Sequence, residues 1–190
     1  MSRLIETIRF SGGKPLNIDY HLKRINASRP TWDRIAMLES IQVPDSITHK
    51  VRVVYDRTTY SVNIEPYTIR PVRTLKLVTD NNIVYDHKYE DRKALNVLFS
   101  RRTDCDDILI VKNGVITDTS YSNIIFRKDD TWFTPTTFLL NGTMRQYLLD
   151  KRMISEAPIT PANITRYSHF KLINAMLRDE APESEVLNIR

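Results

Sequence analysis

One cysteine, Cys105, is all the thiol chemistry available in this chain of 190 residues. It cannot close an intramolecular disulfide or build a cysteine cluster for zinc, so its expected role is a small buried or half-buried filler. Long apolar runs are also missing, and nothing approaches the roughly 20 residues that a membrane helix needs. Met1-Ser2-Arg3-Leu4 runs into a mixed, strand-like segment rather than the apolar core of a signal peptide, which points to a cytoplasmic protein. No block of like charge occurs either. The 28 Lys and Arg residues outnumber 23 Asp and Glu to leave a net charge of +5, but Arg24, Arg52, Arg70, Arg92 and Arg145 are scattered among acids. A dedicated nucleic-acid face is therefore not expected, although the positive balance favours anions such as a phosphorylated cofactor or a carboxylate substrate. The sequence shows no glycine-rich phosphate loop, no metal-ligand cluster, no Ser-His-Asp pattern, no repeats and no low-complexity segment.

What is present is an ordinary globular composition, 41% hydrophobic and 27% charged, long enough to bury a core in one domain or two small ones. Leu4 to Phe10 alternates like a strand and ends in the turn Ser11-Gly12-Gly13-Lys14-Pro15. Asn17 or Asp19 can cap a helix carrying Leu22, Ile25 and Ala27, and Thr31 or Asp33 starts a second through Ile35, Met37, Leu38 and Ile41. Val51–Tyr55 and Tyr60–Ile64 read as a hairpin, with a further strand at Thr74–Val78. A helix is expected from Tyr89 to about Arg101, with Ala94, Leu95, Leu98 and Phe99 on its apolar side. Lys112-Asn113-Gly114 joins Asp107–Val111 to Val115–Thr117 in a tight hairpin. Strands follow at Asn123–Phe126, Trp132–Thr134 and Phe170–Ala175, with a helix over Gly142–Met153. Many short strands with few helices predict an α+β protein, with a small α+β domain over residues 1–79 and a barrel-like domain over 80–190.

The run from Asp107 to Phe126, centred on Lys112-Asn113-Gly114-Val115-Ile116-Thr117-Asp118, resembles the central signature of the class IV aminotransferase family. The order of other segments agrees: His21-Leu22-Lys23-Arg24 and Lys88-Tyr89-Glu90-Asp91-Arg92 ahead of it. Thr134-Pro135, Asn141-Gly142-Thr143-Met144-Arg145 and Ile173-Asn174-Ala175-Met176 lie behind. The resemblance spans most of the chain and implies a two-domain fold-type IV scaffold, pyridoxal 5'-phosphate as cofactor and a homodimer.

In that family the protein supplies a Schiff-base lysine, a partner for the pyridine nitrogen and a phosphate cradle. The resemblance assigns the first to Lys88; taken alone Lys88 is one solvated lysine among many, and Lys93 is its rival, but the Lys-x-x-x-Arg pattern matches Lys88. Asp118 stands where the family has a glutamate facing the ring nitrogen. Its side chain is one methylene shorter, so either the strand sits closer to the ring or the contact is weaker; a turn-forming acid is the plainer alternative. Arg24 and the backbone amides of Thr143 and Met144 match the phosphate cradle, and Asn174 with Ala175 matches its last segment. Alone, Arg24 reads as a surface helix arginine and Gly142 as a helix cap. Arg145 reads equally as a ligand or a structural ion pair, His21 and His87 as packed or surface residues, and Asn123 as a loop-holding amide. Arg92 and Tyr121 are candidates for the substrate side.

The family divides by reaction. The Lys88–Arg92 segment, with its arginine four residues after the lysine, resembles that of 4-amino-4-deoxychorismate lyases, which release pyruvate and 4-aminobenzoate for folate synthesis; the amino-terminal part is short for the family, which implies a more open pocket suited to a bulky cyclic substrate. The alternative is a class IV aminotransferase acting on branched-chain or D-amino acids; from another class, a non-catalytic basic nucleic-acid-binding module remains. A small anionic amino-group substrate is the expected partner.

Overall fold

The computed structural model describes residues 2–178 and 180–190. The chain divides into two compact units, one made of the residues up to Ile69 together with His87–Asp91, the other of Arg70–Asp86 and Arg92–Arg190.

In the first unit, β1 (Leu4–Ser11), β2 (Lys14–Pro15), β3 (His49–Tyr55) and β4 (Tyr60–Pro66) form an antiparallel sheet in the order β2-β1-β3-β4. Alternation puts Leu4, Glu6, Ile8 and Phe10 of β1 on one face. Ile8 and Phe10 there join Val51, Val53 and Tyr55 of β3 in a core shared with Ile25 and Met37. Those last two come from α1 (Ile18–Ala27) and α2 (Arg34–Glu39). Asp33 caps α2 by accepting from the Ile35 and Ala36 amides at 2.8 and 3.1 Å. Asn17 holds the cap position of α1 in a left-handed conformation and makes no side-chain cap bond.

Residues 87–91 lie against β1. The Ile5 amide donates to the Lys88 carbonyl at 2.8 Å, the Glu90 amide to the Arg3 carbonyl at 2.9 Å, and Leu4 bridges Tyr89. Here the structure corrects the expected helix from Tyr89. Backbone groups spent on a neighbouring strand are not available to a helix, and α3 runs only over Lys93–Phe99, followed by a 3-10 turn at Ser100–Arg102.

The second unit holds two sheets. In the first, β5 (Leu75–Thr79) pairs in parallel with β6 (Asp107–Lys112), and β6 pairs with β7 (Val115–Thr119). The carboxyl-terminal residues extend the other side of β5, where the Arg190 amide donates to the Leu75 carbonyl at 2.9 Å. These partners draw residues 70–79 into the second unit, so the division falls at 69/70 rather than 79/80. The second sheet comprises β8 (Asn123–Lys128), β9 (Thr131–Pro135), β10 (Ser155–Ala157), β11 (His169–Ile173) and β12 (Glu183–Glu185), ordered β10-β9-β8-β11-β12. The two sheets share no hydrogen-bonded ladder among the described residues and do not close into a barrel. At their junction the chain turns sharply from β7 to β8, with the Thr119 amide bonded to the Ser122 carbonyl at 2.9 Å. Helix α4 (Thr143–Asp150) ends before the expected Met153 because Arg152 is left-handed and the Met153 amide returns to the Leu148 carbonyl at 2.9 Å.

Candidate functional site

Arg24 and Lys88 belong to the first unit. Arg24 sits in the last turn of α1, and its guanidinium forks onto Glu6, with Nε on Oε1 and Nη2 on Oε2, each at 2.6 Å. Glu6 is fully buried on β1, and His21 Nδ1 meets its Oε2 at 2.6 Å. An ionised carboxylate only accepts, so the imidazole proton in that bond is on Nδ1. Burial alone would push the Glu6 carboxyl up, but the charge and hydrogen bonds of Arg24, helped by His21, bring it down to about 2. The helix periodicity that places His21 and Arg24 three residues apart turns both onto this one carboxylate. Lys88 is half-buried, with its carbonyl held by β1.

The other candidates lie in the second unit and converge on the turn between β7 and β8. Asp118, near the end of β7, is buried, and its carboxylate accepts three hydrogen bonds. Asn123 Nδ2 donates to Oδ1 at 2.8 Å, and the Leu139 and Leu140 amides donate to Oδ2 at 3.0 and 2.9 Å. Burial pushes the Asp118 carboxyl up to about 6 despite these donors. Asn123 also donates from Nδ2 to the Leu140 carbonyl at 2.9 Å and accepts from the Gly142 amide at 3.1 Å. Gly142 is the N-cap of α4, so Thr143 and Met144, both buried, form that helix's first turn, where amides lack intrahelical acceptors. Asn174, just beyond β11, donates to the Ser122 hydroxyl at 2.7 Å and accepts from the Met176 and Leu177 amides at 2.8 and 3.0 Å, leaving Ala175 within the turn. Arg92 Nη2 donates to the Ser120 carbonyl at 2.6 Å, and Tyr121 stands partly exposed in the same turn.

The turn Ser120–Ser122 thus collects Arg92, Asn174 and, through Asn123, the start of α4. Sequence reasoning missed it as a hub, and it missed Glu6. The available signal for Glu6 was a charged residue at the core-facing position of an alternating strand, between Leu4 and Ile8. For Arg145 the structure supplies structural partners: the Glu156 carboxylate, the Pro135 carbonyl, Asn141 and the Phe138 ring.

Comparison with known proteins adds three likenesses and one family. A family model described as amino-transferase class IV matches residues 3–178. An uncharacterised protein of Haemophilus influenzae is 36% identical over 185 residues, covering 93% of this chain and 98% of its own. Among solved structures, a "putative 4-amino-4-deoxychorismate lyase" from Haemophilus somnus superposes with a TM-score of 0.84 at 32% identity, covering 93% of this chain and 97% of that one. A "putative amino-acid aminotransferase" from Mesorhizobium loti has a TM-score of 0.81 with both chains fully covered. At 22% identity it speaks for the fold alone.

Proposed function

The chain belongs to the class IV aminotransferase family, and from that premise we propose that it is a pyridoxal-phosphate lyase. Its reaction is to eliminate pyruvate from 4-amino-4-deoxychorismate and release 4-aminobenzoate for folate synthesis. The observation that carries the cofactor half is the state of Asp118. It is a buried carboxylate with no ion-pair partner among the described residues, and its three donors leave room for a fourth at Oδ1, since a carboxylate accepts about four. A protonated ring nitrogen is a donor of that kind, and its charge would relieve the burial that raises the carboxyl. The residues present therefore fit the group. The lyase half is supported by the Haemophilus somnus relative and by the Lys88-to-Arg92 spacing.

Bound pyridoxal phosphate supplies an electron sink for charge developing at the substrate's amine-bearing carbon. Around it the chain's own groups have separate tasks. Lys88 would hold the cofactor, and its Nζ would serve as the base that takes the proton from that carbon. Asp118 would hold the proton on the ring nitrogen. Arg24 and the Thr143 and Met144 amides would bind the phosphate, flanked by Asn174 and Ala175. Arg92 and Tyr121, at one turn with Asp118, are assigned to the substrate's anionic side.

Purified protein should be yellow, and Lys88→Ala should lose the visible absorbance while keeping its fold by circular dichroism. Wild-type protein that stays colourless after incubation with pyridoxal phosphate overturns the reading. Pyruvate should then appear on addition of 4-amino-4-deoxychorismate; loss of an amino acid that requires a keto acid, with no pyruvate formed, would replace the lyase with a transaminase. Among the described residues no helix is long and apolar enough to cross a membrane. We assign the enzyme to the cytoplasm as a homodimer, which cell fractionation and light scattering check directly.

A further inference from the structure

Resting on that reading, we propose that Asn123 is a positioning residue that sets the spacing between the nitrogen end and the phosphate end of the cofactor site. One planar amide reaches both. Its Nδ2 donates to Asp118 Oδ1 at 2.8 Å and to the Leu140 carbonyl at 2.9 Å, and its Oδ1 accepts from the Gly142 amide at 3.1 Å. The Asp118 carboxylate binds the Leu139 and Leu140 amides in return, closing a ring of hydrogen bonds around the segment that leads into α4. Both residues are buried, so water does not compete for these bonds. The approach is close enough to dictate the residue at 142. A Cβ there would stand 2.2 Å from Asn123 Oδ1, although the Gly142 backbone, φ −65° and ψ 149°, is open to any residue. A side chain at 142 would therefore have to push the Asn123 amide off its partners.

The spacing matters because pyridoxal phosphate has a fixed length between its ring nitrogen and its phosphate. A protein that misplaces one end by an ångström loses that contact, a change worth up to about a hundredfold in favourable cases. Pyridoxal, which lacks the phosphate, uses one end only and is indifferent to the spacing. A residue that merely stabilised the fold would weaken both ligands alike.

The test measures the affinities of cofactor-free protein for pyridoxal phosphate and for pyridoxal. Wild type should prefer the phosphorylated form. Asn123→Ala should reduce that preference by about tenfold or more. Gly142→Ala should do the same from the other side, by driving the Asn123 side chain off its partners, and it keeps the proposal testable if Asn123→Ala does not fold. In the Asn123→Ala background the added Gly142→Ala should cost less than about twofold, because the clash is gone. If wild type shows no preference, the phosphate half of the functional reading fails. If wild type shows the preference and either variant keeps it, or if Gly142→Ala costs as much in the Asn123→Ala background as in wild type, the reading stands and the positioning role is overturned.

Discussion

Two buried carboxylates in this protein respond to pH in opposite directions, and the difference lies in their immediate neighbours. Glu6 has Arg24 on both oxygens and is lowered to about 2; Asp118 has only neutral donors against it and is raised to about 6. The stabilisation from Glu6 is fully present above its unfolded value and is lost as pH falls toward 2. The contribution of Asp118 runs the other way: the folded protein binds the proton more tightly, so stability falls as pH rises from the unfolded carboxylate value through 6. Each effect is on the order of 3 kcal/mol at full strength. Denaturant melts of cofactor-free protein should show Glu6→Gln losing the decline below pH 4.5 at the cost of about 3 kcal/mol at neutral pH, because Arg24 is left without its counter-charge. In Asp118→Asn the decline between pH 4 and 6.5 should flatten. An unchanged slope in either variant would mean that the carboxylate is not coupled to folding as its neighbours require.

The elements formed where local chemistry and tertiary pairing agree. The β6–β7 hairpin turns on Asn113 and Gly114, both at positive φ, 53° and 80°, in the two-residue loop that Asn-Gly predicts. No atom lies within 4 Å of a Cβ added at Gly114, so Gly114→Ala should cost only the conformational penalty, about 1 kcal/mol in a thermal melt, with activity retained. A loss several times larger would mean that the turn packs against something. Helix α3 is the counter-case. Apolar spacing suggests a start near Tyr89, but residues 87–91 bond to β1 and the helix begins at Lys93. Strands β2, β10 and β12, of two or three residues, were not foreseen, since a segment that short has no period to detect.

At the scale of the whole molecule, the chain leaves the first unit after Ile69 and returns to it for five residues, 87–91. That return covers part of the edge of β1 left open by β2, which pairs only at Phe10 and Ser11. A fragment of residues 1–69 should therefore expose an unpaired strand edge and self-associate, while the same fragment joined to 87–91 by a flexible linker should stay monomeric and melt cooperatively; light scattering and calorimetry would separate them. Equal behaviour of the two fragments would show that the returning segment does not protect the edge. By itself the sequence determined the alternating strands, the Asn-Gly hairpin, the apolar positions of the helices and the ordered motifs that place the chain in its family, because these follow from local periodicity, turn chemistry and residue order. Only the tertiary structure decided that Glu6 would meet Arg24, that Asn174 would reach Ser122 52 positions away, and that Asn123 would tie Asp118 to Gly142. Buried polar groups are satisfied by whichever partner the folded chain brings within reach, and nothing in their local sequence names that partner.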